Sequence, residues 1–399
     1  MTVWNDEQHA RQLAHNTWMA NTAVLMHLNE RATGDPARDW LSSWAHRWFV
    51  GNDLRVLVLG CGEGWLERAI AQWPFVARID AVDFAEEALS RAREAARGIE
   101  KIHYGVVDLN VHELPADTYD VVVAHSVLHH VSNLEHAYAQ IEKTMRANAT
   151  LVMNEYVGPN RFQYSDDVLQ IINTLLGCIG QPPKHRPTVE EMLANDPTEA
   201  VRSEELLAFT EKTFDVRERK NIGGTILQHL LYETIAQFRF DNALERSILE
   251  MLCTIEALLV DAKRIPCDYV ILAARKRGSR VEKAKRPLPP RPEAAKDVQP
   301  DPLWLNVGRA SAHLWRNVGR ASARLWRNVG RASARPGGLK PALRLVRLAI
   351  LAQLPRRAML YEESRVAAFV ERFRTRTFDD PRIECLLRTA ATLAPREAR

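Results

Sequence analysis

A run of branched aliphatic residues, Val56-Leu57-Val58-Leu59, passes directly into Gly60-Cys61-Gly62-Glu63-Gly64. Glycines at alternate positions after such a run let the chain turn through positive φ. They also bring main-chain groups close to a ligand, because no Cβ stands in the way. The spacing is Gly-x-Gly-x-Gly, not the Gly-x-Gly-x-x-Gly that sets a dinucleotide pyrophosphate on a helix N-terminus. Alone it fits a tight structural turn as well. Asp83 lies nineteen positions after Gly64, at the end of a second strand-like run, where a carboxylate can accept both hydroxyls of a ribose. Phe84 follows with a flat ring suited to stacking on a base. Asp108 ends a third run and can accept from an exocyclic amino group. Each acid alone reads equally as a helix N-cap; the three spacings together favour a nucleoside-type ligand.

A second group could move protons. His129 and His130 follow the apolar run Asp120 to Ala124, and an ordinary histidine pKa of about 6.5 suits a general base. Either ring could instead cap the next helix or bond the loop. Glu155 and Tyr156 end the next run and are alternative acceptor-side groups; His229 is a weaker third. No Asp/His cluster shows metal-ligand spacing, so no metal is expected. Ser126 lacks the flanking glycines of a nucleophile elbow.

The elements that would position these residues alternate. Strands are expected at Arg55–Leu59, Ala77–Val82, Lys101–Val107, Asp120–Ala124 and Thr150–Glu155. Helices are expected at Trp65–Trp73, Ala85–Ala96 and Leu134–Met145. Such alternation implies a parallel sheet covered on both faces. Helical patterns follow at Gln163–Leu176, Val189–Leu193, Ser203–Thr210 and Ile226–Phe240, with final strands at Phe214–Arg219 and Asp268–Ala274.

Residues 54–155 resemble a class I S-adenosylmethionine-dependent methyltransferase. The resemblance rests on Leu57 to Gly64, on Asp83, and on Asp108-Leu109 with Leu114-Pro115. It extends through Asp120–Ala124 and His125-Ser126-Val127-Leu128-His129-His130-Val131. It implies a Rossmann-like α/β fold, a seven-stranded sheet whose last strand is antiparallel, with a helical lid at about 156–213 and 226–262. It implies that Gly60, Cys61, Gly62 and Gly64 approach the methionine part of the cofactor. Asp83 would hold the ribose, Phe84 and Leu109 flank the adenine, Asp108 hold its amino group, and His125 lie near the methionine. Residues 1–50 would supply helices closing over the cofactor, with Trp18 and Asn21 as contacts or as core. The Gly-Gly usual before the fifth strand is Asn148-Ala149 here.

The 399 residues carry a net charge of +4 that hides a split: residues 1–274 balance at −14 and residues 275–399 at +18. An acidic front is a poor partner for DNA or tRNA, since phosphate contacts need cationic side chains. The basic tail can be drawn to polyanions or remain a solvated surface. Composition breaks near residue 275. Pro287, Pro289, Pro290, Pro292, Pro300 and Pro302 mark a basic linker over 275–302, expected to be extended and disordered. Residues 303–335 hold three eleven-residue repeats, a period that as a helix favours right-handed supercoiling. Residues 336–399 read as a basic helical tail, with an amphipathic stretch at Pro341–Leu354 suited to a membrane surface or to packing on the chain. A last helix is expected from Asp379 or Asp380. The five scattered cysteines argue for free thiols in a reducing compartment. No apolar run is long enough to span a bilayer, and no secretory signal pattern opens the chain. A cytoplasmic enzyme is therefore expected, with a peripheral place at the inner membrane surface left open. It would transfer a methyl group to a small-molecule or sugar acceptor, at oxygen. A non-catalytic cofactor-binding scaffold, or methylation of protein or RNA through the tail, are the alternatives.

Overall fold

The computed structural model describes residues 18–279 apart from 233, together with 283–284, 286–287 and 380–393. The repeats, the 341–354 stretch and most of the proline-rich segment lie outside the described residues. A turn at Trp18–Ala20 leads into α1 (Thr22–Thr33) and α2 (Trp40–Trp48). Then come β1 (Leu54–Leu59), α3 (Trp65–Ile70), β2 (Val76–Asp83), α4 (Glu86–Ala95), β3 (Ile102–Val106), β4 (Tyr119–His125), α5 (Leu134–Thr144) and β5 (Met145–Tyr156). After them lie α6 (Asp166–Cys178), α7 (Val189–Asn195), α8 (Leu206–Thr213), β6 (Phe214–Gly223), α9 (Leu227–Leu231), α10 (Ala243–Asp261), β7 (Tyr269–Lys276) and α11 (Pro381–Leu393).

The strands form one seven-stranded sheet in the order β3-β2-β1-β4-β5-β7-β6. The first five are parallel, and β7 runs antiparallel to both β5 and β6. Val56 to Leu59 and Val121 to Ala124 are fully buried, because helices cover both faces of the central strands. Chain order reverses between β1 and β4, which makes the carboxyl edge there the ligand-binding crevice of such sheets.

Local chemistry sets the helix starts. Asn133, Ser165 and Thr188 cap α5, α6 and α7 through side-chain oxygens that accept backbone N–H bonds, and Glu191 completes a capping box at α7. The expected helix over 226–240 is broken into α9 and a turn at Ile235–Gln237. Glu256 of α10, fully buried, accepts from the N–H groups of Gly224, Ile226 and Leu227 at 2.6–2.8 Å, so a carboxylate from a distant helix serves the start of α9. Burial pushes that carboxyl above the usual range against the pull of those N–H donors. Before the central part of β5, pairing jumps from Tyr119↔Met145 to Val121↔Thr150. Asn148 O lies within the bulge and accepts from Arg275 Nη1 at 2.7 Å.

Leu28 of α1, Ile172 of α6, Leu230 of α9, Leu252 of α10 and Leu386 of α11 share one continuous core with Val56 and Val58 of β1. The C-terminal helix starts where Asp380-Pro381 predicts it, with Asp380 Oδ1 accepting from Arg382 N at 2.8 Å. The expectation of free thiols fails at one pair. Cys178, the last residue of α6, is bonded to Cys385 of α11, their Cα atoms 5.2 Å apart. They are 207 residues apart in sequence, so no spacing announces the pair; only the docking of α11 on α6 does. Among the described residues Cys61 and Cys267 are free thiols. Among the described residues no helix is long and apolar enough to cross a membrane.

Candidate active site at the carboxyl edge

The glycine loop leaves β1 at the carboxyl edge, and Gly60, Gly62 and Gly64 have φ of +60°, +52° and +80°. Their surroundings differ. A Cβ on Gly60 would lie 2.2 Å from Val127 Cγ2, and one on Gly64 2.4 Å from Glu67 Oε1 and 2.7 Å from Tyr104 Oη. Those two positions are glycine because the protein itself crowds them. A Cβ on Gly62 would meet nothing within 4 Å. Gly62 therefore turns its bare backbone toward open space, a cradle that a side chain would fill.

Asp83, ending β2, braces this cradle. Its Oδ2 accepts from Gly62 N at 2.8 Å and its Oδ1 from Ala85 N at 2.9 Å. The carboxylate thus ties the loop to the start of α4, and it remains partly exposed. Phe84 and Trp65 are exposed rings next to it and to Gly64 in the chain, at 41% and 50%, and large apolar rings left on a crevice rim are suited to a ligand. Asp108 Oδ1 accepts from the N–H and side-chain amide of Asn110 at 2.8 Å each; Leu109 is buried beside it and Cys61 is buried in the loop. Gly62 and Asp83 are in direct contact, while Asp108 and Leu109 follow β3, the neighbour of β2 in the sheet.

His125 ends β4 in the same crevice. Its ring lies 5.4 Å from Trp65 and 5.4 Å from Trp40. Its buried Nδ1 has no hydrogen-bond partner, and burial holds its pKa below the usual value. Trp40, on α2, was not singled out from the sequence. Only its place in the Trp-rich stretch Trp40 to Trp48 could have flagged it. Trp18 is core against Tyr269, and Asn21 caps α1, its side chain accepting from Ala23 N.

The acid–base cluster sits above β4 and β5. Glu155 is fully buried. Its Oε1 accepts from Val127 N at 2.7 Å and Leu128 N at 2.9 Å, and its Oε2 lies 2.7 Å from His129 Nδ1. All of its reach is spent on holding the 127–129 turn. Burial works against a charged His129, but the bond to Glu155 and the nearby Glu199 outweigh it and hold its pKa above the ordinary value. His130 goes the other way: burial, then the charge of His129, depress it well below 6.5. His229 is not in this group; it lies tilted against Tyr164 and edge-on to Phe162 in the helical layer, with its pKa lowered to about 3 by burial. Two acids escaped the sequence reading. Glu199 reaches within 3.5 Å of His129 Nε2. Asp268, before β7, is buried with both carboxylate oxygens unpartnered, and burial raises it to about 7.

Residues 57–153 match the family model described as a methyltransferase domain. Those residues carry the signature of a methyltransferase domain. Malonyl-[acyl-carrier protein] O-methyltransferase of Halalkalibacterium halodurans is 31% identical over 129 residues, 32% of this chain and 47% of that protein. The protein of the same name from Bacillus cytotoxicus is 26% identical over 127 residues, 32% of this chain and 44% of its own. The chain spans about half the length of these curated relatives or less. Among solved structures, an S-adenosylmethionine-dependent methyltransferase from Mesorhizobium loti superposes with a TM-score of 0.38 at 19% identity, over 59% of this chain and 97% of that one.

Proposed function

We propose that the protein transfers the methyl group of S-adenosylmethionine to an oxygen of a small-molecule or glycosidic acceptor. The observation that carries this reading is Gly62, left-handed, braced by Asp83 and open to space on its Cβ side. Gly60, Cys61, Gly62 and Gly64 would line the methionine part, with His125 beside it. Asp83 would hold the ribose through what remains of its oxygen capacity. Phe84 and Leu109 would flank the adenine and Asp108 its amino group. When bound, the cofactor supplies an electrophilic sulfonium methyl. The chain's own work is then to bind, orient and desolvate, the source of much of the rate in such a transfer.

His129 and His130 are the acceptor-side groups. A neutral imidazole of this pair takes the proton of a hydroxyl acceptor, a contribution of roughly 10²–10⁴-fold. Glu155 is a positioning residue that fixes the His129 ring. A closed site for a small acceptor is supported by residues 196–201 lying over this turn, where Val201 N donates to His129 O at 3.0 Å. Transfer to oxygen is supported by the curated relatives, whose names are those of O-methyltransferases. The test is incubation of the full chain with labelled methyl donor and cell fractions. Label in low-mass or glycan material is expected. Label confined to protein or RNA would favour docking through the basic tail, and donor binding without any transfer would favour a scaffold.

A further inference from the structure

A group of side chains beside the His129 turn has a geometry that the methyl-transfer reading leaves unexplained. Residues 196–201 are tied across the turn. His130 Nδ1 is 3.2 Å from Thr198 O, Arg161 N donates to Ala200 O at 2.7 Å, and Arg161 Nη1 donates to Glu199 O at 2.9 Å. Ala200, fully buried, holds φ +48°, and Ser126, Arg161 and Phe162 hold +51°, +54° and +53°. Four non-glycine residues in the left-handed region around one spot are backbone strain of the kind that gathers at functional sites. Ala200 is the chain neighbour of Glu199, whose carboxylate reaches His129.

Glu155 accepts at His129 Nδ1, so with Nδ1 protonated the ring presents a lone pair at Nε2. That lone pair faces Glu199 Oε1 at 3.5 Å. That approach needs either a proton on Nε2 or a cation between the two atoms, and 3.5 Å is long for the hydrogen bond a proton would make. The separation is close to the edge, about 3.4 Å, of a tetrahedron built from metal–ligand bonds of about 2.0–2.1 Å. One ligand atom from each of His129, His130 and Glu199 lies within 4.8 Å of the other two. His130 and Glu199 are partly exposed, which gives an ion a way in.

We propose that His129, His130 and Glu199 bind one divalent transition-metal ion of the zinc or iron(II) class, with Glu155 orienting His129 behind it. Two imidazoles and one carboxylate suit these ions and not magnesium or calcium, which prefer all-oxygen sites. A carboxylate on the far nitrogen of a ligating histidine is the usual second support of such sites. Two carboxylates, one of them fully buried, sharing one imidazole also leave a charge that a divalent ion balances. Three protein ligands leave a coordination position open, as in catalytic sites. The proposal deepens the methyl-transfer reading and rests on it for its purpose: the open position would take the acceptor oxygen and orient its lone pair. In the loaded protein the imidazoles are ligands, and the bound oxygen loses its proton more readily because it is on the metal. Sequence spacing hides the site because Glu199 lies sixty-nine residues beyond His130.

The test is zinc titration of the full-length, chelator-stripped protein against a chromophoric chelator, repeated with cobalt(II), whose visible spectrum reports nitrogen and oxygen ligation. One ion per chain is expected, with Glu199→Gln and His130→Gln each weakening it at least tenfold. Glu155→Gln should weaken it about 10–100-fold. No saturable binding, or an affinity untouched by Glu199→Gln in a folded variant, overturns the proposal. If the variants fail to fold, X-ray absorption on the zinc-loaded wild type decides, with two imidazoles supporting the site and none overturning it. S-adenosylhomocysteine binding measured on the same samples separates the two readings. Nucleoside binding without metal binding sinks this inference alone; metal binding without nucleoside binding sinks the methyl-transfer reading alone.

Discussion

Replacing Gly60 and Gly62 separately by alanine should split folding from binding. Both have left-handed backbone, which costs an alanine about 1–2 kcal/mol, offset by about 0.4–1 kcal/mol from the stiffer unfolded chain. At Gly62 nothing lies within 4 Å of the new methyl, so the net loss should be about 1 kcal/mol. For a domain of this size that is a Tm drop of about 2–4 °C. At Gly60 the methyl would sit 2.2 Å from Val127 Cγ2. The overpacking adds about 1–3 kcal/mol, and Val127 is itself held by Glu155 through its N–H, so it cannot simply move aside. Gly60→Ala should therefore lose about 3 kcal/mol. Binding should rank the other way per unit of stability lost. The Gly62→Ala methyl occupies the cradle and should weaken S-adenosylhomocysteine at least tenfold, about 1.4 kcal/mol, in a protein that melts nearly as before. Calorimetry and thermal melts on the two variants read both quantities. Unchanged binding by a folded Gly62→Ala protein would refute the placement of the donor against this loop.

Three further outcomes follow from buried groups and the cross-link. Glu155→Gln should destabilise the protein by about 2 kcal/mol, the range for a charge-assisted hydrogen bond, and should lower the His129 pKa read by NMR; an unmoved His129 titration would show that Glu155 does not hold it. Because the fold raises His129, its share of stability is present below about pH 6.5 and is lost as pH rises through the folded value, so this variant should also flatten that slope. Asp268, raised from 3.8 to about 7, binds a proton on folding, so stability falls as pH rises between those values, by up to about 4 kcal/mol. Asp268→Asn should melt higher than wild type at pH 8 and lose that advantage near pH 4; equal melts at pH 8 would contradict a raised Asp268. Non-reducing peptide mapping should recover Cys178 cross-linked to Cys385, and alkylation of both in unreduced protein would exclude the pair.

The sheet was legible because its signals are local. Val121-Val122-Val123 can only be a strand buried on both faces, and Gly60 to Gly64 directly after an aliphatic run marks a turn at a sheet edge. Asp83 is legible as the residue that ends the second strand, and the resemblance puts His125 at the end of the fourth, which is where the two lie. What escaped depends on contacts between distant segments. Glu199 reads as an ordinary lid acid until Ala200 and Arg161 turn it onto His129. Asp268 reads as a strand-start residue until the sheet closes over it. Trp40 becomes a neighbour of His125 only when α2 folds back over the end of β4. Cys178 and Cys385 become a pair only when the last helix docks. Glu155 was legible as an acid at a strand end but not as a positioning group, since its bonds go to backbone N–H groups that no composition records.

Titration calorimetry of the full-length protein with S-adenosylhomocysteine, in parallel with Asp83→Ala, tests the methyl-donor site most directly. Saturable one-to-one heat from the wild type, with affinity reduced at least tenfold in a variant that still folds, is the expected result. No heat from the wild type, or equal affinity with and without the Asp83 carboxylate, would contradict the cradle between β1 and β2 as the methyl-donor site.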